Sequence, residues 1–135
     1  MTQEDKELLF KDLCARLPYG VKCEYSNLRY GGVFKVTDIR YSGYIGGIID
    51  NKCCWGVFDP LELKPYLFPL SSMTEGQSKE LDEIDPEFYL LICENGDRYI
   101  SMDVRSYDWL NKNHFDYRGL IEKGLAIDAT GLNIY

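Results

Sequence analysis

"GGVFKVTDIRYSGYIGGIIDNKCCWGVF", residues 31–58, consists of short apolar runs broken by Gly, Ser, Asn and Asp, and its reading decides the fold. Each run has strand length, is rich in β-branched and aromatic side chains, and stops at residues that favour turns. Within the first run Phe34 and Val36 share one face while Ile39 and Tyr41 share the other. The alternation therefore slips, and a bulge near Thr37 is expected. Asp50-Asn51-Lys52 is a turn signal. Working outward, "VKCEY" (21–25) comes before and "LELKPYL" (61–67) after. Five closely spaced strands predict a small, SH3-like antiparallel β barrel. Pro65 suits an edge or a strand end, because it cannot donate to a ladder. Gly31-Gly32 and Gly46-Gly47 match neither dinucleotide nor P-loop patterns, so the second pair marks a bend or a close backbone approach.

The flanks read as helices. Thr2 can cap a helix over about 3–16, with acids in its first turn, Leu9, Leu13 and Leu17 at helical spacing, and Pro18 as its stop. Residues 71–87 form an acidic connection in which Thr74 or Ser72 can cap a short helix that Pro86 ends. Asn95-Gly96 between two apolar runs predicts a hairpin, with strands near 88–93 and 98–102. Asp103 can cap a helix through 104–114, Asp116 a shorter one ending at Gly124, and "LAID" (125–128) is a candidate last strand. The expectation is one α+β domain over 1–135. Residues 1–70 supply the helix and barrel, and 88–135 the hairpin and C-terminal helical segment.

Net charge is −7, from 15 basic and 22 acidic residues, which argues against direct nucleic-acid binding through clustered Lys and Arg. No run reaches the roughly 20 apolar residues of a membrane span, and "MTQEDKELLF" carries acids where a secretory signal would be basic and apolar. A cytoplasmic protein that avoids membranes is expected. Cys14, Cys23, Cys53, Cys54 and Cys93 are odd in number and lack C-x-x-C spacing, so neither a disulfide framework nor a metal site is expected, and no cofactor is implied.

"CARLPYGVKC" (14–23), "LKPYLFPLSSMTE" (63–75) and "YDWLNKNHFDYRGLIEKGLAIDA" (107–129) together resemble a family of small proteins, without assigned activity, encoded by phages and mobile elements of gut Bacteroides. The resemblance implies a cytoplasmic accessory protein. It carries over no catalytic residue.

"HFDYRG" (114–119) holds the only histidine. His114, Asp116 and Arg118 are candidate binding residues, and Asp108 would share a helical side with His114 if that helix ran unbroken. Each also has a structural role open to it: Asp116 as a cap, Arg118 bonding carbonyls or pairing with the acidic segment, and His114 closing a helix end. The structural reading is favoured, and no catalytic residue is assigned. Tyr41, Tyr44, Trp55 and Tyr66 are candidates for an aromatic groove, although the core is the commoner place for aromatics in a small β domain and is the favoured reading. The favoured function is a non-enzymatic interaction module whose partner is a host or phage protein. Two alternatives stay open: a small enzyme or nucleotide-ligand binder using His114 and Asp116, and an acidic decoy of a nucleic-acid-binding protein built on residues 75–87.

Overall fold

The Asp5 amide donates to the Thr2 hydroxyl at 3.1 Å, and the Thr2 amide donates to the Asp5 carboxylate at 3.2 Å. This capping box starts α1, Gln3–Arg16, over the expected span. Leu17–Tyr19 then tighten into a 3-10 turn around Pro18, and Gly20 at φ 66° reverses the chain. The computed structural model describes residues 2–26, 31–40, 43–49, 54–84 and 104–135, without the side chains of Ser26, Cys54, Trp55 and Leu61. The expected hairpin around Asn95-Gly96, the turn at 50–52, the Asp103 cap and the Pro86 stop lie outside the described residues.

Five strands follow: β1 Lys22–Ser26, β2 Gly31–Ile39, β3 Ile45–Ile49, β4 Cys54–Phe58 and β5 Leu63–Pro69. β1 to β4 form an antiparallel meander, and β5 returns antiparallel beside β1. The register of β2 shifts between Val36 and Asp38, where the alternation slips in the sequence. A Cβ on Gly47 would strike the Lys35 carbonyl oxygen, so the glycine pair in β3 marks a close backbone approach. Two short strands complete the sheet, β6 Phe115–Asp116 and β7 Ile127–Asp128, both parallel to β5. β7 falls within "LAID"; β6 has no counterpart in the sequence reading.

The strand order is β4-β3-β2-β1-β5-β6, with β7 also on β5. The fold is α+β, but its sheet is open, where the sequence led to the expectation of a small barrel. Closure requires the end strands to pair with each other. Among the described residues β4 pairs only with β3, while β5 pairs beyond β1 with β6 and β7. Pro65 lies opposite Cys23 in β5, and strand alternation turns the position of its missing N–H away from β1, at a point before β7 joins.

The register that pairs Cys23 with Pro65 would next pair Lys22 with Tyr66. Tyr135 completes that step instead: its hydroxyl accepts the Lys22 amide at 2.9 Å and donates to the Tyr66 carbonyl at 2.8 Å. Tyr135→Phe leaves both backbone groups without this partner, at an expected cost of about 1 kcal/mol in a urea unfolding curve. Amide exchange at Lys22 should quicken in the variant, and an unchanged rate would count against the bridge.

The helices α2, Glu75–Ile84, and α3, Val104–Lys112, lie on the far side of β5. A second box, between Thr74 and Gln77, caps α2. α3 stops short of the expected residue 114 because His114 adopts φ 60°, and its amide bonds back to the Asn111 carbonyl at 3.2 Å. Residues 120–124 form turns rather than the short helix expected there, with Gly124 at φ 73°. Two apolar clusters result. Leu9 and Leu13 of α1 pack on Val21, Phe34, Val36, Ile45, Leu63 and Leu67, joined by Leu120 and Leu125. Leu81, Trp109, Leu110, Phe115 and Tyr117 form the second, with Trp109 stacked on Phe115 at 5.6 Å.

Candidate functional site

Leu9, Asp12, Leu13 and Arg16 share one face of α1, and that face is the buried one. Two charged side chains therefore enter the core, both with no exposed surface. Arg16 Nε donates to Asp12 Oδ2 at 2.8 Å, and Arg16 Nη2 donates to the Phe115 carbonyl at 2.6 Å. Arg118 Nη1 reaches the other Asp12 oxygen at 3.2 Å and the Tyr117 hydroxyl at 2.8 Å. Tyr117 in turn donates to Asn111 Oδ1 at 2.9 Å, and burial pushes its phenol up, which keeps the proton on that donor. Both guanidinium groups lie over the Tyr117 ring, Arg16 at 5.5 Å and Arg118 at 4.7 Å. Desolvated charge of this kind is tolerated only when paired and hydrogen-bonded.

"HFDYRG" wraps this network. Both Asp116 oxygens are engaged by backbone amides, Leu120 at 3.0 Å and Ile121 at 3.0 Å, so the side chain caps the turn at 120–124. Asp116→Ala leaves those amides unmet in a buried corner, and a loss of about 2 kcal/mol in unfolding free energy is expected. A loss below 0.5 kcal/mol, on the order of an uninvolved surface site, would refute the cap. Arg118 pairs with Asp12 rather than with the acidic segment.

His114 is buried, with its ring stacked on Tyr135 at 3.8 Å and 10° between planes. Its carbonyl accepts the Phe68 amide at 2.8 Å. Nδ1 is buried without a hydrogen-bond partner among the described residues. Burial, with Arg16 and Lys22 nearby, lowers the imidazole pKa to about 4, so the ring is neutral at pH 7. It closes α3 through its backbone conformation and not through a charge. Because α3 ends at Lys112, Asp108 and His114 do not share a helix face. The proximity of His114, Asp116 and Arg118 in sequence thus becomes a corner in which backbone amides hold Asp116, Asp12 and the Tyr117 hydroxyl hold Arg118, and the His114 ring is held by its stack on Tyr135. Neither a base–orienter pair nor an exposed nucleophile results.

An open concavity among the described residues lies elsewhere. The outer face of α1, the turn before β3 and the start of the 3-10 turn at Pro60–Glu62 bound a cleft of about 720 Å³. Phe10, Cys14, Tyr44 and Pro60 supply its apolar wall, with Gln3, Lys6, Glu7, Lys11 and Asp59 around them. Its volume is within the range of ligand sites, whose walls are mainly apolar with a few polar groups. Tyr44 is 43% exposed and lines this cleft. Tyr66 is half-buried in β5 and does not line it. The Tyr41 and Trp55 side chains lie outside the described residues, so no four-aromatic groove is formed from the described side chains.

The Cys23 thiol is buried and pushed up by burial, and Cys14 is raised by the same cause. Among the described residues no three His, Cys, Asp or Glu side chains gather as metal ligands, and no helix is long and apolar enough to cross a membrane. Asp12, Arg16, Asn111, Tyr117, Phe10 and Lys11 are absent from the sequence-based candidates. Asp12 and Arg16 had a signal: charges at positions i+3 and i+7 from Leu9 fall on the apolar stripe. Phe10 and Lys11 had none, since cleft walls depend on what faces the helix. No protein-family model, curated protein or solved structure matches the chain.

Proposed function

We propose that the chain is a non-enzymatic binding module, with the α1 cleft as the surface that receives its partner. One observation carries this reading: both oxygens of Asp116, the carboxylate nearest in sequence to His114, are held by backbone amides. The polar corner that an enzyme would use is thereby committed to architecture, and the open apolar concavity is on the opposite face of α1. On the sequence resemblance, the partner is a host or phage protein and the compartment is the cytoplasm. The strand order β5-β1-β2-β3-β4, with a 3-10 turn before β5 and a bulged β2, supports SH3-like as the description of the scaffold.

The test compares what immobilised wild type, Tyr44→Ala and His114→Asn each retain from host cytoplasm. Tyr44→Ala should lose the partner and His114→Asn should keep it. Turnover of a nucleotide by wild type, abolished in a folded His114→Asn protein, would overturn the reading in favour of an enzyme.

The acidic-decoy reading stands second on a specific observation. Glu75, Glu80, Asp82 and Glu83 are exposed on α2, a capped helix anchored by buried Leu81, and so form a fixed acidic surface. Salt-sensitive capture of a basic protein, lost in Glu80→Gln/Glu83→Gln and kept in Tyr44→Ala, would establish it.

A further inference from the structure

Of the charged groups lining the cleft, Lys6 faces Asp59 at 3.8 Å, and Glu7 accepts the Gln3 amide at 3.3 Å. Lys11 has no hydrogen bond or ion pair among the described residues. One uncommitted cation thus stands beside a wall of Phe10, Tyr44 and Pro60. We propose that the cleft takes, from a protein partner, an apolar side chain flanked by a carboxylate. The apolar group packs between Phe10, Tyr44 and Pro60, and the carboxylate meets Lys11.

The sign follows from the neighbours: an incoming cation would find the carboxylates of Glu7 and Asp59 already engaged and Lys11 opposed to it. A protein segment is favoured over an enclosed metabolite because the cleft is open-sided, so a ligand must extend beyond it to bury enough surface. Apolar contact supplies most of the affinity, and the Lys11 pair, exposed and screened, selects the sign. The net charge of −7 repels acidic segments elsewhere on the surface, which confines the attraction to this point.

This inference rests on the binding-module reading, and its test separates the two. Capped peptides GLFEEG, GLFQQG and GLFKKG are titrated into the full chain and followed by amide chemical shifts. GLFEEG should move the amides of Phe10, Lys11 and Tyr44 and bind about threefold tighter than GLFQQG, as expected for one exposed ion pair. Lys11→Glu, a substitution on the exposed face, should reverse the order so that GLFKKG binds best. Equal binding of the three peptides to wild type, or an unchanged order in Lys11→Glu, overturns the acidic ligand class and leaves the cleft as the binding surface. Absence of any shift at the cleft amides with every peptide overturns both.

Discussion

Asp12→Ala is expected to destabilise the fold by about 4 kcal/mol, within the range for removing one partner of a buried ion pair. Asp12 joins two guanidinium groups, that of Arg16 at 2.8 Å and that of Arg118 at 3.2 Å. Arg118 is partly exposed and can turn to water, but Arg16 has no exposed surface and no route out. After the substitution it stays charged in the core with one carbonyl, that of Phe115, as its remaining hydrogen-bond partner among the described residues. For a domain of this length the loss lowers the melting temperature by roughly 10–15 °C. Asp12→Leu combined with Arg16→Met removes both charges at similar volume and should recover most of the loss, since desolvation offsets much of what such a pair contributes. Chemical denaturation of the three proteins checks this. A single-variant loss below about 1 kcal/mol, the scale of an exposed pair, would mean that Arg16 escapes to solvent.

Acid should weaken the protein through His114 alone by about 3 kcal/mol between pH 7 and pH 4. The folded ring has its pKa lowered to about 4 from the ordinary imidazole value of 6.5. Between those values the unfolded chain binds a proton that the folded chain does not, so unfolding becomes easier as pH falls through 6.5 and the effect is nearly complete by about 4. Above 6.5 the ring is neutral in both states and contributes no slope. Carboxylates titrate in the same window, so the informative quantity is the difference from His114→Asn. Asparagine tolerates the left-handed conformation at φ 60° better than most residues, which preserves the end of α3. The variant should show a flatter stability profile over pH 4–6.5. A profile parallel to wild type would mean that the imidazole is solvated.

The parts of the fold that were legible in the sequence are those set by local chemistry. Thr2, Asp5 and Pro18 fix α1 from residues near its ends, and the slipped alternation around Thr37 became a bulge. The five longer strands overlap the expected runs, with β1 and β5 extending one or two residues beyond theirs, because each has enough residues to display its period. β6 and β7, at two residues each, show no period, and their parallel pairing with β5 depends on segments roughly 50 to 60 residues apart. The open edge was hidden for a similar reason: closure is decided by which strand reaches β5 first, and no strand states that about itself. At the corner, the residue types allowed either an active site or a scaffold. The direction of the Asp116 oxygens decided between them, and direction is not written in spacing. Exposure of Tyr44 and the freedom of Lys11 depend in the same way on what the rest of the chain covers.

The buried pair on α1 also bears on when the protein can fold as it leaves the ribosome. Arg16 bonds to a carbonyl 99 residues downstream, and Asp12 to a guanidinium 106 residues downstream. At ordinary rates of synthesis, about 5–20 residues per second, those partners are made on the order of 5–20 s after α1. Through that interval the helix has its caps but not the groups that make its charged inner face acceptable to a core. Docking of α1 is therefore a late event, which holds the nascent sheet uncovered until the corner at 115–118 emerges. A chain stalled before that corner would expose Leu9, Leu13 and the face of β1 to β3, and would be a natural client for chaperones.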